Sequence, residues 1–306
     1  MLWWIALLGC GPPGERSQPF YVGVNYPWRH YGIDFGTTAW GDLGVENNAA
    51  AIDADFAMLA DHGIEAVRWF LLADGRAAPT FDADGTPIGI DPDAMDDLEM
   101  ALTIADDHGV QILWVLTDFH WCAPQERVDG VVLGDHADAI RNRQKRQRLM
   151  EDVFRPILAT FGDHPSVLGW EVMNEPEWAI KWDWIGETPM IAFVEETAAL
   201  IAEETDRPST VGSASIADMG ALWADRNLDW LQYHDYSWLR DHPPASMVDD
   251  MPVLLGEVPT ANGDLAGAMD AAWERDYLGA WGWSLNGDDE ESDLDLSIIA
   301  DWGPPR

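Results

Sequence analysis

Two stretches of the chain carry the same punctuation. Asp61-His62-Gly63-Ile64 leads into Val67-Arg68-Trp69, and Asp107-His108-Gly109-Val110 leads into Leu113-Trp114-Val115. In each, a segment with an apolar stripe stops at a glycine and a continuous apolar run begins. Glycine ends helices because it takes the left-handed backbone without a Cβ clash. A continuous apolar run of strand length suits a strand buried on both faces. The second unit starts 46 residues after the first. Such alternation implies parallel strands covered by helices.

The rest of the chain continues the pattern. Strands are predicted at Phe20 to Asn25, Ala66 to Leu72, Val110 to Leu116 and Val167 to Met173. Four more follow near Thr210 to Ser213, Leu228 to Tyr233, Pro252 to Gly256 and Leu278 to Ser284. Helices are predicted at Ala51 to His62, from Asp91-Pro92 onward, at Ala139 to Phe161 and at Met190 to Glu204. Ile52, Phe56 and Leu59 share one helical face, as do Met95, Leu98 and Leu102. Eight strands in strict order, most followed by a helix, predict a single-domain (β/α)8 TIM barrel over residues 20–306. A doubly wound open sheet would place a glycine-rich phosphate turn after the first strand, and Asn25-Tyr26-Pro27 is not one. Residues 286–306 are acidic and then rich in Gly and Pro, so the last helix is expected to be short or absent.

Charge narrows the partners. Acidic residues number 55 against 17 basic ones, a formal net charge of -38. That argues against nucleic acid and anionic membrane surfaces. It favours solubility and suggests adaptation to salt, which screens self-repulsion. Arg141, Arg143, Lys145, Arg146 and Arg148 form a local basic cluster, expected to pair with acidic neighbours on a solvated helix face.

Catalytic residues of such barrels sit at the C-terminal strand ends. Read in turn, those ends carry Arg68, then Asp118-Phe119-His120-Trp121, Asn174-Glu175, His234-Asp235-Tyr236, Gly256-Glu257 and Trp281-Gly282-Trp283-Ser284. Taken alone, Asn174-Glu175-Pro176 is also explained by a polar turn ending a strand, with Pro176 holding Glu175 extended. Two glutamates from strands four and seven, however, face one mouth. Glycoside hydrolysis needs two carboxylates flanking the scissile bond. Arginine, histidine and tyrosine nearby would keep the attacking carboxylate ionised. Asn174 is placed to bond a sugar hydroxyl, and Trp283 to floor a subsite. Glu171 shares strand parity with Glu175 but lies deeper, and is expected to pair with Arg68. Glu177 is expected to be exposed. Trp28, Trp40, Trp178, Trp182 and Trp184 are candidate sugar platforms, although interior packing explains most of the 18 tryptophans.

This ordered set resembles the clan A glycoside hydrolases, most closely family 5, the cellulase and mannanase group. Asn174-Glu175-Pro176 is similar to the family's acid/base motif, and Glu257 to its nucleophile. Arg68 matches the strand-two arginine, His234-x-Tyr236 the His-x-Tyr of strand six, and Trp283-Ser284-Leu285 its strand-eight motif. His120 matches the strand-three histidine, in a less common surrounding. The resemblance covers residues 20 to 286. It implies a retaining double displacement through a glycosyl-enzyme intermediate, without a metal; a β-linked oligo- or polysaccharide as partner, no cofactor and a monomer are expected.

Met1 to Cys10 is an apolar run too short to span a bilayer. It reads as a secretory signal, and Leu7-Leu8-Gly9-Cys10 resembles a bacterial lipobox with Cys10 as the lipidated residue, although no Lys or Arg precedes it. Export as a lipoprotein or through an ordinary signal is expected, with residues 1–19 as leader and linker. Cys122 then has no partner, so no disulfide framework is expected.

Three other readings stay open at this stage. An inactive carbohydrate-binding barrel would be expected to lose Glu175 or Glu257 first, and both are present. A metal-dependent hydrolase would want histidine pairs at strand ends, and no His-x-His follows strand one. A transglycosylase would use the same two glutamates.

Overall fold

The computed structural model describes residues 16–41, 43–236, 251–287 and 289–305. Eight parallel strands close into a barrel: β1 (Gly23–Asn25), β2 (Ala66–Phe70), β3 (Gln111–Asp118), β4 (Val167–Asn174), β5 (Ser209–Ser213), β6 (Leu231–His234), β7 (Val253–Pro259) and β8 (Gly279–Trp283). Each strand pairs with its neighbours in sequence, and β1 closes the ring against β8 at Val24 and Gly282. This is the expected (β/α)8 TIM barrel in one domain. The final helix, Leu296–Ala300, is short as expected. Residues 1–15, which carry the expected export signal and Cys10, lie outside the described residues. No helix among the described residues is long and apolar enough to cross a membrane.

The repeated glycines behave as their positions demand. Gly63 and Gly109 both have positive φ, 75° and 67°. The next residues, Ile64 and Val110, donate back to Leu59 and Ala105 at the ends of their helices. Asp91 caps the helix Pro92–His108 by accepting from the Asp93 N–H at 3.1 Å.

Several boundaries differ from expectation, each for a long-range reason. The first helix begins at Val45 rather than Ala51. Asp97, from the next helix, accepts from the Glu46 and Gly36 N–H groups and so holds that start in place. The span from 139 to 161 is not one helix. It breaks at Asn142, whose side chain caps a new helix, Arg143–Arg148, by accepting from the Gln144 N–H, and contains a π-helical turn, Leu149–Phe154. Three of the basic cluster pair with acids as expected, Lys145 with Asp138 at 2.6 Å, Arg146 with Glu196 at 2.7 Å and Arg148 with Asp152 at 2.6 Å, but Arg146 is buried rather than solvated and Arg141 donates to the Trp184 carbonyl. Strand β7 runs on to Pro259, so Glu257 lies within it rather than after it. The ladders on both sides of β7 shift register near this point, and His234 pairs opposite Glu257. Such irregularities re-aim side chains next to sites.

The barrel interior has two kinds of layer. Ala66, Leu113, Leu168, Leu254, Leu278 and Trp281 fill the end where the strands begin. Above them lies a polar layer of Asn25, Arg68, Glu171 and Gln232, all fully buried. Glycine makes room for it: a Cβ at Gly212 would fall 2.3 Å from Glu171 Oε1.

Candidate active site

Arg68 is the hub of the polar layer. Its Nε and Nη2 donate to the two oxygens of Glu171 at 2.7 and 2.6 Å, confirming that pairing. Nη1 donates to Asn25 Oδ1 at 3.0 Å and to Glu257 Oε1 at 2.5 Å, and Nη2 also donates to Asn174 Oδ1 at 2.7 Å. All five N–H donors of the guanidinium are therefore used. The fork geometry of arginine makes this possible, and lysine could not reproduce it.

Glu257 receives donors on both oxygens, Arg68 on Oε1 and the Tyr236 hydroxyl on Oε2 at 2.6 Å. Burial pushes its carboxyl up and the Glu175 charge adds to this, while the Arg68 guanidinium and the Tyr236 hydroxyl favour the anion. A carboxyl whose two oxygens both accept from a cation or a hydroxyl is best matched by the ionised form. Burial, and then Glu257 itself, push the Tyr236 hydroxyl far above its ordinary value, so it remains a donor.

Glu175 differs in backbone and in charge state. It is not extended: its φ and ψ are 45° and 49°, in the left-handed region. A non-glycine residue there costs roughly 1–2 kcal/mol. Three bonds hold it in place. Its N–H donates to Gly212 O at 2.6 Å, Trp178 Nε1 donates to Oε2 at 2.9 Å, and His234 Nδ1 lies 2.8 Å from Oε1. Pro176 then opens a short helix, Pro176–Lys181, that returns Trp178 to the carboxylate. Burial raises the Glu175 carboxyl to about 7, with the nearby Asp118 charge adding to the rise. One atom each from Glu175, His234 and Glu257 fall within 4.8 Å of one another. One oxygen of each carboxylate thus lies within 4.8 Å of the other, which fits the spacing of about 5–5.5 Å where one of the pair attacks better than the roughly 6.5–9.5 Å that leaves room for water.

The remaining predicted residues line the same mouth. Asn174 is buried, its amide tied to Arg68 on one side and to Asp118 Oδ2, 2.8 Å away, on the other. His120 stands on the rim and bonds Asp118, not either glutamate: Nδ1 lies 2.5 Å from Asp118 Oδ1. Trp283 faces the cavity and donates from Nε1 to Asp289 at 2.9 Å. Asp118 also belongs to the site, without a sequence signal of its own. It sat in a quoted strand end, but only its link to Asn174 and its field on Glu175 mark it as part of the site. Glu177 corrects the expectation of exposure. It is buried, accepting from Ser213 Oγ and from Trp223 Nε1, because the turn of helix after Pro176 aims it inward over β5.

These groups surround a cavity of about 510 Å³ whose aromatic lining includes Trp28, Tyr31, Phe70, Phe119, Trp178, Tyr236 and Trp283. A second hollow of about 440 Å³ shares Trp28, Tyr31, His120 and Asp289 with it and reaches Asp74, Arg76 and Glu126. The site is an extended trough, wider than one sugar needs. Of the other tryptophans, Trp182 is 48% exposed and stacks on Trp178 with ring centroids 5.3 Å apart. Trp184 packs beside Trp182, and Trp40 lies by Arg76.

No protein-family model matches the chain. Two proteins are related along most of their length. A mannan endo-1,4-β-mannosidase of Mytilus edulis is 24% identical over 87% of this chain and 83% of its own. Another of Cryptopygus antarcticus is 24% identical over 90% and 83%. Solved structures share the fold. An endo-1,4-β-mannanase from Eisenia fetida superposes with a TM-score of 0.75 at 21% identity, covering 93% of this chain and 90% of that one. The β-mannanase of Mytilus edulis gives 0.74 at 20% identity, covering 92% and 90%. The chain is thus similar along nearly the whole barrel to β-mannanases, in line with its resemblance to the clan A glycoside hydrolases of family 5.

Proposed function

We propose that the chain hydrolyses β-linked mannan with retention of configuration, Glu257 as nucleophile and Glu175 as acid/base. The observation that carries this is the contrast between two neighbouring carboxyls. Glu257 is clamped as an anion by Arg68 and Tyr236, while Glu175, raised to about 7, holds a proton near neutrality. In the first step Glu257 attacks the anomeric carbon as Glu175 protonates the departing oxygen, leaving a glycosyl-enzyme ester. In the second, Glu175 takes a proton from water, which attacks the same carbon and releases Glu257. Arg68, Asn174, His234 and Tyr236 orient the pair, His120 lines the rim, and Trp283 supplies a flat face for the sugar ring. The two named mannan relatives favour mannan over glucan, and the trough favours attack within a chain over removal of its end.

Reducing-sugar release from β-mannan, β-glucan and β-xylan tests the reading, with Glu257→Ala as the control. Release from mannan by the wild type alone is expected. A sugar acceptor added to the digestion separates transglycosylation from hydrolysis, since only the acceptor differs.

The export route belongs to the proposal as well. The apolar run to Cys10 supports either a lipid-bearing cysteine or an ordinary cleaved signal. Fatty-acid labelling in a bacterial host, lost in Cys10→Ala, is expected for the lipoprotein; unlabelled, cleaved protein would indicate the ordinary signal.

A further inference from the structure

The polar layer joins the two glutamates through one more side chain. Gln232 lies on β6, two residues before His234, and is fully buried. Its Nε2 donates to Glu171 Oε2 at 2.9 Å and faces His234 Nε2 at 3.4 Å. Glu171 is gripped on both oxygens by Arg68, so it is an ionised acceptor with no proton to give. That settles which way the amide points. Turned over, Gln232 would set its oxygen against a carboxylate oxygen at the same short distance. The orientation has a cost, because Gln232 Oε1 is buried with no hydrogen-bond partner. The chain also makes room for this amide: a Cβ at Gly256 would meet Gln232 at 2.7 Å.

An N–H aimed at His234 Nε2 makes that nitrogen the acceptor. In a neutral ring the proton is then on Nδ1, the nitrogen 2.8 Å from Glu175 Oε1. The ring is fully buried, and burial pushes it below its ordinary value. The charged groups around it are Glu257, Arg68, Glu171 and Glu177, with Glu175 and Tyr236 at the cavity side. Around Glu175 they are Asp118, Arg68 and Glu171.

We propose that Gln232 is a positioning residue: it holds His234 as the Nδ1–H tautomer, which donates to Glu175 Oε1 and so confines the transferable proton to Glu175 Oε2. This rests on the reading of Glu175 as the acid/base. A carboxyl that accepts at Oε1 carries its proton on Oε2. There the Trp178 N–H donates to the oxygen, leaving the oxygen's own proton free to point to the cavity. On bond cleavage that proton passes to the departing glycosidic oxygen. The carboxylate left behind keeps both donors, His234 and Trp178. In the opposite tautomer a bare Nδ1 would bind a proton on Oε1 and withhold it from the substrate. Gln232 touches no substrate and acts only through the ring.

The tautomer is read directly by long-range proton–nitrogen NMR on histidine-labelled wild-type protein, with His234→Gln to assign the ring. A neutral ring protonated at Nδ1 at pH 7 is expected. A ring protonated at Nε2, or at both nitrogens, overturns the proposal. Gln232→Met gives the kinetic arm. Losing the donor to Glu175 removes support for its anion, so the alkaline limb of kcat/KM should move up by about one pH unit. The value of kcat on mannan should fall by about ten-fold or more, with KM changed less than about two-fold. An unmoved limb in a folded variant overturns the proposal; if the variant does not fold, the wild-type spectrum decides. Failure of the wild type to cleave mannan would remove the functional reading and leave the tautomer still readable.

Discussion

Arg68 Nη1 donates to Glu257 Oε1 at 2.5 Å, and the same guanidinium grips Glu171 with two further bonds. One cation thus neutralises a structural carboxylate below the site and orients a second at its floor. Arg68→Met leaves both acids buried without it. Removing one partner of a buried pair costs about 3–5 kcal/mol. Urea unfolding should show a loss of that size together with loss of turnover. Arg68→Met with wild-type stability would mean the pair carries no such weight.

Glu175 and Glu257 should respond differently to the leaving group. Glu257→Ala is expected to abolish turnover of every substrate. Glu175→Ala should reduce mannan cleavage by roughly 10²–10⁴-fold, the usual worth of a placed acid or base. The first step on an aryl mannoside with an activated leaving group should fall far less, because that group departs without a proton. Burst kinetics on the aryl substrate measures this step apart from the second.

The Glu175 carboxyl, raised from its ordinary 4.5 to about 7, sets the alkaline limb. The acid must be protonated, so kcat/KM should fall as pH rises through about 7. Asp118→Asn removes a charge that adds to this rise and should move the limb toward acid by roughly half a unit to one unit. The sign for stability is the reverse of a salt-bridged carboxylate. Between 4.5 and about 7 the folded protein holds a proton the unfolded chain has released. The contribution is therefore present below 4.5 and lost as pH rises to about 7. Glu175→Gln should flatten that part of the stability profile.

A net charge of -38 should make stability depend on salt. Screening shortens from about 10 Å at 0.1 M to about 3 Å at 1 M. The melting temperature should rise across that range in potassium chloride, while unchanged melting would rule out salt adaptation.

The parts of this fold that were legible in the sequence are those set by local chemistry. Gly63 and Gly109 stop helices through their own backbones, and Asp91-Pro92 starts one. The runs ending at Arg68, Asn174 and His234 are apolar because both faces of each strand are covered. What was misread depends on residues far away. Asp97 extends the first helix back to Val45, and Asn142 splits a segment whose apolar face runs on unbroken. Glu177 is drawn inward by Ser213 and Trp223, from 36 and 46 residues further along. Glu175 takes a left-handed backbone because Gly212, Trp178 and His234 hold it there, although Pro176 alone argues for an extended one. Asp118 shows its place only through its contacts with Asn174 and His120.

A glycosyl-enzyme intermediate on Glu257 fixes which anomer is released first from a β-1,4-mannan oligosaccharide. Proton NMR during the first turnovers should show the β anomer, with the α anomer appearing later by mutarotation, and no signal from Glu257→Ala. The α anomer appearing first, or β product at an undiminished rate from Glu257→Ala, would mean that no such intermediate forms on Glu257.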